Sequence, residues 1–270
     1  MSPFFSIIIP TFNRATVLKQ SVDSVLFQTF TDFELIIVDD GSVDNTDKIV
    51  TSIKDSRVVY IKNTRTKGAC GARNTGAIKA KGKWLAFLDS DDTWECDKLK
   101  KMHERLRYME KGACYSGYFR FRNGIKESIV DGVSGDHLKD LYYSNIVRGL
   151  SLFVVDKFSF WKISGFDESF RSKQDLDLYI RLAKLFPFEY IKEPLVTFNP
   201  YSNNRITLDL SARLEGYLAF HDKYWKEVPY EAKERHLKLL IHYSFQKKNY
   251  SRAIKFFMEW LKIKFFKYSG

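Results

Sequence analysis

The sequence predicts an α/β fold, in which a Rossmann-like, mostly parallel sheet is flanked by helices and followed by a helical C-terminal extension. Over the first ninety residues, short apolar runs of strand length alternate with stretches of helical periodicity. Strands that alternate with helices of this length form right-handed βαβ units, which give parallel sheets. From about residue 208 onward the pattern is helical throughout. These observations together define the predicted fold class.

The elements of the first ninety residues can be assigned in order. The predicted strands are short runs of apolar residues, and the predicted helices carry apolar residues at a spacing of three or four. The strands are Phe5–Ile9, Phe33–Val38, Arg57–Ile61 and Trp84–Leu88, and the helices between them are Val17–Phe27, Asp44–Ile53 and Ala69–Ala80.

Beyond residue 95 the alternation of strands and helices weakens. We predict helices at Lys98–Lys111 and Asp175–Phe186, strands at Tyr115–Phe121 and Leu152–Val155, and a loop or hairpin at Asn123–Asp136. The tail contains three further helical stretches, Leu208–Tyr224, Glu231–Gln246 and Tyr250–Phe266. We place a boundary near residue 205, so that residues 1–205 form the main domain and residues 206–270 the helical extension.

Composition narrows the class of protein. The hydrophobic fraction of 44% and the charged fraction of 29% are ordinary for a soluble globular chain. The three cysteines, Cys70, Cys96 and Cys114, form no CxxC pair, which favours a reducing compartment over a disulfide framework. We expect no signal peptide, and the apolar runs are too short to span a bilayer, so a cytoplasmic location is predicted. The net charge of +11 favours anionic partners, although a solvated basic surface explains it equally well.

Polar residues follow three of the predicted strands. The first strand is followed by Pro10–Arg14 (PTFNR), the second by Asp39–Ser42 (DDGS) and the fourth by Asp89–Asp92 (DSDD). In an open parallel sheet, ligands bind at the carboxyl ends of the strands. We therefore predict one ligand site at this edge of the sheet.

The acidic cluster Asp89–Asp92 is the sharpest signal in the sequence. Its three carboxylates repel one another unless a cation lies between them. A hard divalent ion with oxygen ligands, Mn²⁺ or Mg²⁺, is a natural partner and would bridge diphosphate oxygens. The alternative is a helix N-cap at Ser90 or Asp92, which leaves Asp89 unexplained.

Four segments together resemble the inverting family 2 of glycosyltransferases, which has the GT-A fold. The resemblance extends over about residues 5–205 and implies transfer of a sugar from a nucleotide diphosphate sugar, typically a UDP-sugar, to an acceptor hydroxyl. It also implies a glycan or lipid-linked acceptor in bacterial surface polysaccharide synthesis, and no nucleic-acid partner. The segments are Ser6–Arg14 (SIIIPTFNR), Leu35–Thr46 (LIIVDDGSVDNT), Gly68–Trp94 (GACGARNTGAIKAKGKWLAFLDSDDTW), and Gly165–Phe170 (GFDESF) with Gln174–Leu182 (QDLDLYIRL).

The resemblance implies a nucleotide pocket after the first two strands. Thr11, Asn13 and Arg14 would line this pocket, and Asp40, together with Asp39, would accept a hydrogen bond from the N–H of the base, typically uracil. The alternative for Asn13 and Arg14 is that they are simple turn residues.

The family resemblance also implies a group of residues that lie along the phosphates and sugar of the donor. Gly71, Arg73 and Asn74 would pack along the donor, with Arg73 facing its phosphates or the acidic cluster; a surface arginine is the alternative. Asp89 and Asp91 match a DxD pattern, in which one carboxylate contacts ribose or sugar and the other binds the metal. Ser90, between them, belongs to the same donor site.

An inverting transfer is a single in-line displacement and needs a carboxylate near the acceptor hydroxyl. In the family this base is the Asp of a Glu-Asp pair that opens a helix, and the matching residue is Asp175. Gln174 replaces the Glu, so hydrogen bonding is retained and the charge is lost. Asp177 is a rival but points about 200° away on a helix, and Asp175 could instead be a helix cap. Family members often carry a His after the last strands, where Pro200–Arg205 offers none, and Arg205 is the candidate substitute.

The tail is basic and aromatic. From His221 to Gly270 there are twelve lysines and arginines against five acidic residues, and aromatic residues alternate with lysines after Ile254. Such a helix can lie on an anionic membrane surface, in peripheral contact with the inner face of the membrane. Alternatively, its aromatic residues pack on the main domain or on a partner chain, and both possibilities stay open.

Two other functions compete with the transferase. The run Asp89–Thr93 also resembles the DxDxT nucleophile motif of haloacid dehalogenase-type phosphatases, with Asp89 as nucleophile and Gly135, Asp136 and Asp140 as a second acidic motif. Against this, the motif follows the fourth strand instead of the first, and Ser128–Ser134 is too polar for a core strand. An inactive nucleotide-sugar-binding module is the non-enzymatic alternative.

Overall fold

A computed structural model describes the chain at residues 2–199 and 209–267, with side chains up to residue 265. The predicted boundary near residue 205, the segment Pro200–Arg205 and the side chain of Phe266 lie outside the described residues. The division into residues 1–205 and 206–270 therefore stays a proposal.

The described residues form nine strands, ten α-helices and one short 3₁₀ helix at Leu150–Leu152. The strands are β1 Phe5–Thr11, β2 Phe33–Asp39, β3 Val58–Lys62, β4 Trp84–Phe87, β5 Thr93–Trp94, β6 Ala113–Arg122, β7 Ile125–Ile129, β8 Phe153–Asp156 and β9 Phe188–Thr197. The helices are α1 Leu18–Leu26, α2 Thr46–Thr51, α3 Ala69–Lys79, α4 Lys98–Leu106, α5 Leu138–Tyr143, α6 Lys157–Lys162, α7 Gln174–Ala183, α8 Leu210–Tyr224, α9 Tyr230–Gln246 and α10 Tyr250–Lys267.

Within the described residues the strands form one sheet in the order β3-β2-β1-β4-β8-β6-β9-β5, with β7 paired to β6. The four strands β3, β2, β1 and β4 are parallel, and β6 and β9 run in the same direction. Six of the nine strands therefore share one direction, which confirms the mostly parallel sheet. The first four predicted strands and the three helices between them occur in the predicted order.

Both faces of the sheet are covered, which explains the uninterrupted apolar runs. Because side chains alternate along a strand, Ile8 and Ile36 face one core, shared with α3, α6 and α7. Ile7 and Leu35 face the other core, shared with α1 and α4. Every residue of β1 and β2 is buried, so these central strands hold the loops at their carboxyl ends in fixed positions.

The segment predicted as a loop or hairpin is a hairpin. β6 and β7 pair in antiparallel fashion around Asn123 and Gly124, whose φ angles are 51° and 78°. Positive φ at both positions is what a two-residue hairpin turn requires, and Asn-Gly satisfies it. Strands β5 and β9 and helices α5 and α6 were not predicted.

The tail helices α8 and α9 pack on the main body. Phe220, Tyr224 and Ala232 belong to the same core as the sheet, and Tyr224 Oη donates a hydrogen bond to Asp177 Oδ1 at 2.6 Å. The alternative in which the tail packs on the main domain is therefore confirmed for α8 and α9. No helix of the described residues has the length and apolar character needed to cross a membrane.

Candidate functional site

The loops that follow β1, β2 and β4 meet at one edge of the sheet. Asn13 has a φ of 52°, a left-handed conformation that Asn tolerates, and its backbone N–H donates to Ser42 Oγ at 2.9 Å. In return, Val43 N–H donates to Asn13 Oδ1 at 2.8 Å. The loop after β1 also reaches the loop after β4, because Arg14 Nη2 lies 3.9 Å from Asp91 Oδ2. Asn13 is thus a turn residue that also joins two of the three loops.

The two aspartates after β2 have different surroundings. The side chain of Asp39 is fully buried; it accepts hydrogen bonds from the backbone N–H of Gly41 and Ser42, from Tyr60 Oη at 2.6 Å and from Lys62 Nζ. Burial raises the pKa of Asp39, but the hydrogen bonds from Lys62, Tyr60 and Ser42 outweigh it and lower the pKa to about 2. Asp39 therefore organises the loop as a permanent anion.

Asp40 is only half-buried. Its Oδ1 accepts from Asn63 Nδ2 at 2.6 Å and its Oδ2 from the N–H of Gly68 at 2.8 Å. Each carboxylate oxygen can accept more than one hydrogen bond, so Asp40 retains capacity for a ligand. Of the two aspartates, Asp40 is the one that a ligand can reach.

The acidic cluster after β4 contains three different environments. The Asp89 side chain is 38% exposed and that of Asp91 is 15% exposed. Asp92 is buried and accepts from Ser151 Oγ at 2.7 Å, and burial, followed by the nearby charge of Asp89, raises its pKa well above the ordinary value. Ser90 is buried as well. The residues after Asp92 form β5 and not a helix, so the helix-cap alternative for this cluster is wrong.

Arg73 connects the acidic cluster to α7. Its guanidinium is buried, with Nη2 donating to Asp89 Oδ1 at 2.6 Å and Nη1 donating to Gln174 Oε1 at 3.0 Å. The surface-arginine alternative is therefore wrong. Arg73 faces the cluster, and its second contact reaches the residue next to Asp175.

Three further predicted residues have mainly internal contacts. Asn74 is buried. Its Nδ2 donates to the carbonyl oxygen of Phe166 and its Oδ1 accepts from the N–H of Phe166, both at 2.9 Å. The side-chain amide therefore holds the Gly165–Phe170 loop instead of facing the edge of the sheet. A Cβ on Gly71 would lie 1.9 Å from the carbonyl oxygen of Thr66, so this position requires glycine for close backbone approach. Thr11 Oγ1 is buried and has no hydrogen-bond partner among the described residues.

Asp175 lies in the first turn of α7 and is half-buried. Its Oδ1 accepts from the N–H of Leu176 at 2.8 Å and its Oδ2 from Asn145 Nδ2 at 2.6 Å. The N-cap position belongs to Lys173, so Asp175 does not cap the helix in the usual manner. Asn145 comes from the loop after α5, where no motif in the sequence indicated a functional residue.

The rival carboxylate, Asp177, has an internal role. It is buried and accepts from Arg181 Nε at 2.9 Å, from Tyr224 Oη at 2.6 Å and from Lys223 Nζ at 2.7 Å. These contacts join α7 to α8. The predicted opposite orientation of Asp175 and Asp177 agrees with these separate sets of partners.

The residues present fit a divalent ion that a substrate helps to bind. Within residues 2–199 and 209–267, no group of three His, Cys, Asp or Glu side chains is arranged to hold a metal. Asp89 and Asp91 offer two hard oxygen donors on one loop, and Mg²⁺-type sites commonly use one or two carboxylates plus substrate phosphates. Arg14 and Arg73 already supply part of the positive charge that the cluster needs.

Comparison with known proteins gives relatives of one class. The chain is 41% identical over 128 residues to UDP-Glc:alpha-D-GlcNAc-diphosphoundecaprenol beta-1,3-glucosyltransferase WfaP of Escherichia coli, which covers 47% of this chain and 49% of WfaP. The match thus spans about half the length of that relative. TuaG of Bacillus subtilis, a glycosyltransferase whose name assigns it to teichuronic acid biosynthesis, is 31% identical over 67% of this chain and 73% of its own length.

Solved structures share the fold at low identity. TarS of S. aureus, residues 1–349 in complex with UDP-GlcNAc, superimposes with a TM-score of 0.71 at 15% identity over 97% of this chain and 81% of that chain. The mannosyltransferase PcManGT of Pyrobaculum calidifontis, in complex with GDP-Man and Mn²⁺, gives a TM-score of 0.65 at 15% identity, over 94% of this chain and 76% of that chain. These likenesses establish the GT-A fold. The family model described as Glycosyl transferase family 2 matches residues 6–170, and the chain therefore belongs to glycosyl transferase family 2.

Proposed function

We propose that the chain is an inverting glycosyltransferase that moves a sugar from a UDP-sugar to an acceptor hydroxyl on a lipid-linked glycan, in bacterial surface polysaccharide synthesis. One observation carries this proposal: Arg73 contacts both Asp89 of the donor-side cluster and Gln174 beside Asp175. Donor and acceptor sides therefore share one edge of the sheet. The printed activity of WfaP, a glucosyltransferase from UDP-Glc to a diphosphoundecaprenol-linked acceptor, supports the choice of substrates.

The loops after β1 and β2 provide the proposed nucleotide pocket. Thr11, Asn13 and Arg14 line it, and the half-buried Asp40 accepts from the N–H of the base. Asp39 keeps the turn in position through its four hydrogen bonds. The buried hydroxyl of Thr11 has no partner within the described part of the chain, which supports a polar ligand atom nearby, because a buried hydroxyl without a partner is costly.

The acidic cluster and Arg73 form the proposed phosphate side. Asp89 and Asp91 would hold Mn²⁺ or Mg²⁺, whose positive charge would stabilise the departing diphosphate. The Mn²⁺ in the PcManGT complex supports a divalent ion in this fold. Arg73 and Arg14 contribute fixed positive charge, while Ser90, Gly71 and Asn74 shape the loops around the donor.

Asp175 is the proposed base. It accepts the proton of the acceptor hydroxyl while that oxygen attacks the anomeric carbon, and the bond from that carbon to the diphosphate oxygen breaks on the opposite side. Asn145 and the N–H of Leu176 hold its carboxylate in place. A preorganised base of this kind contributes about 10²–10⁴-fold to rate.

The proposed location is cytoplasmic, at the inner face of the membrane, with peripheral contact through the tail. The three cysteines are free, as is typical of a reducing compartment, and a lipid-linked acceptor would be presented at the membrane surface. The match to a glycosyltransferase family gives no support to the phosphatase alternative.

Two variants test the division between donor and acceptor sides. We expect Asp91→Ala to abolish the metal-dependent binding of UDP-sugars in calorimetry. Asp175→Asn should bind the donor as the wild type does and lose transfer by at least about 100-fold. Thermal stabilisation by a panel of nucleotide sugars with Mn²⁺ would first identify the donor, because any ligand of the folded state raises stability.

Asp136→Asn is the matched control, since this exposed residue has a catalytic role only in the phosphatase alternative, and Asn keeps the oxygen that accepts from the N–H of Leu138. Full turnover in Asp175→Asn would reject the proposed base. Donor binding by the wild type without turnover on any lipid-linked acceptor would indicate the inactive binding module.

A further inference from the structure

Helix α10 has two apolar faces, and within residues 2–199 and 209–265 side chains pack against one of them only. Ala253, Phe256, Trp260 and Ile263 point inward, where Phe256 packs with Leu237 and Leu240 of α9. A second row of apolar residues lies on the outside and is 44% to 62% exposed. This row, called the outer stripe, consists of Tyr250, Ile254, Phe257 and Met258.

The outer stripe follows helical periodicity. Seen along the helix axis, its residues lie within an arc of roughly 100°. A helix that only packed on the protein would present polar residues on this side. Contiguous exposed apolar surface of this kind marks an interaction site.

The exposed charged residues of α10 beside the outer stripe, and those of the turn before it, are lysines. Lys255 and Lys262 are exposed on its flank, and Lys247 and Lys248 are exposed in the turn before α10. Glu259, the one acidic residue in the sequence of α10, is turned inward, with its carboxylate 3.6 Å from His221 Nε2. The exposed side of the helix therefore combines bulky apolar groups with lysines.

Two occupants compete for such a surface, and charge decides between them. A second copy of this chain would bring the lysines of both copies together, where like charges repel. An anionic bilayer accepts the apolar residues at its interface and attracts each lysine. We infer that the outer stripe, with Lys247, Lys248, Lys255 and Lys262, docks α10 along the surface of an anionic lipid bilayer.

The docking helix belongs to a bundle that adjoins the acceptor side of the site. Lys173, immediately before Gln174 and Asp175, places its Nζ 3.8 Å from the ring centroid of Tyr217 in α8. His236 of α9 bonds to the carbonyl of Tyr142, at the end of α5. Docking through α10 would thus hold the proposed base at a fixed height above the lipid. This inference deepens the proposed function and rests on it for the lipid-linked acceptor.

Sedimentation of the purified chain with phosphatidylcholine vesicles, with and without phosphatidylglycerol, tests the inference. We expect binding to the anionic vesicles that weakens as salt is raised, and little binding to neutral ones. Ile254→Ser with Met258→Ser should weaken binding about tenfold or more, because partial burial of both side chains is lost. Lys255→Glu with Lys262→Glu should weaken it at least about 25-fold, from about fivefold for each lysine removed.

Matched controls lie elsewhere on the surface. Phe27→Ser removes a side chain that is 75% exposed, and Lys54→Glu with Lys81→Glu reverses two exposed lysines away from α10. Both controls should bind vesicles as the wild type does. Far-ultraviolet circular dichroism and the melting temperature would verify that every variant is folded.

Equal binding to neutral and anionic vesicles, or unchanged binding by the stripe variant, would overturn the inference. A concentration-dependent dimer that the stripe variant abolishes would assign the surface to a second copy and would overturn it too. UDP-sugar binding measured without vesicles should be normal in all these variants. A failure of vesicle docking is therefore distinguishable from a failure of the proposed donor site.

Discussion

We expect His236 to make the fold sensitive to acid at the junction between the tail and the main body. Its ring is buried, stacks on Phe220 at a centroid distance of 4.4 Å, and donates through Nε2 to the carbonyl of Tyr142 at 2.7 Å. Nδ1 is buried and has no hydrogen-bond partner among the described residues. Burial, with smaller contributions from nearby positive charges such as Lys173, lowers the pKa of His236 from 6.5 to about 4.

The sign of the effect follows from the proton balance. Between pH 6.5 and 4 the unfolded chain binds a proton at His236 that the folded chain does not, so stability falls as the pH decreases through this window. Lowering the pKa of His236 from 6.5 to about 4 corresponds to roughly 3 kcal/mol of unfolding free energy in total, of which about 2 kcal/mol is lost between pH 6.5 and 4.5. Asp39 and Glu168, whose pKa values are both about 2, add their own loss in more acid solution.

Urea denaturation at pH 6.5, 5.5 and 4.5 measures this loss. His236→Gln keeps an N–H donor and cannot take up the proton, so its stability should change by about 2 kcal/mol less than that of the wild type across this range. His242→Gln, at an exposed histidine of the same helix, should retain the wild-type dependence. If wild type and His236→Gln lose stability in parallel, the histidine is not held neutral and the reasoning fails.

Two other substitutions probe the site and its support. Arg73→Lys should lower kcat/KM by roughly 10-fold to 100-fold and should also lower the melting temperature, because one ammonium cannot contact Asp89 and Gln174 together and a charge-assisted bond of about 1.5–3 kcal/mol is lost. Steady-state kinetics showing wild-type values would contradict the bridging role. Asp177→Asn should destabilise the fold by about 3 kcal/mol in urea denaturation, since Arg181 and Lys223 lose their shared carboxylate. Donor affinity should be unchanged. A loss of stability below about 1 kcal/mol would show that the junction between α7 and α8 does not depend on this carboxylate.

A strand or helix can be predicted from the sequence when the pattern of its own apolar residues shows which of its faces are buried. β1 and β2 are covered on both faces, so their apolar runs are unbroken and easily recognised. β9 is different: it contains Lys192, Glu193 and Pro194, and its register against β6 shifts at Ser116 and Gly117. Its position depends on backbone pairing to two neighbours, which local periodicity does not record.

Short helices are missed for another reason. α5 and α6 have six residues each, less than two full turns, so no hydrophobic period can develop. A signal was nevertheless present for α6, because Asp156 caps it by accepting from the N–H of Ser159 at 2.8 Å. An acidic residue three positions before the capped amide is a pattern that sequence reasoning can use.

The residues of the candidate site also divide into those that a sequence pattern indicates and those that it does not. Asp40, Asp89 and Asp91 follow strands β2 and β4, where the local pattern indicates them, and Asp175, in the first turn of α7, is indicated by the family resemblance. Their partners come from distant loops: Asn145 reaches Asp175 across 30 positions, and the bond from Ser151 to Asp92 spans 59. Only the folded topology brings such pairs together, so no local pattern could have named them.

Gln174 changes the charge balance at the centre of this arrangement. With the Glu of the family at this position, Arg73 would contact two carboxylates, and the group of three would carry a net negative charge. With Gln174, the hydrogen bond at 3.0 Å is retained, while Asp89 alone balances the guanidinium. Because Arg73 is buried, where charge interactions are stronger than in water, the missing negative charge matters more than it would on the surface. Under the proposed function, a donor diphosphate at Asp89 and Asp91 would therefore meet less repulsion than it would with Glu at position 174, and the contact between Arg73 and α7 is kept.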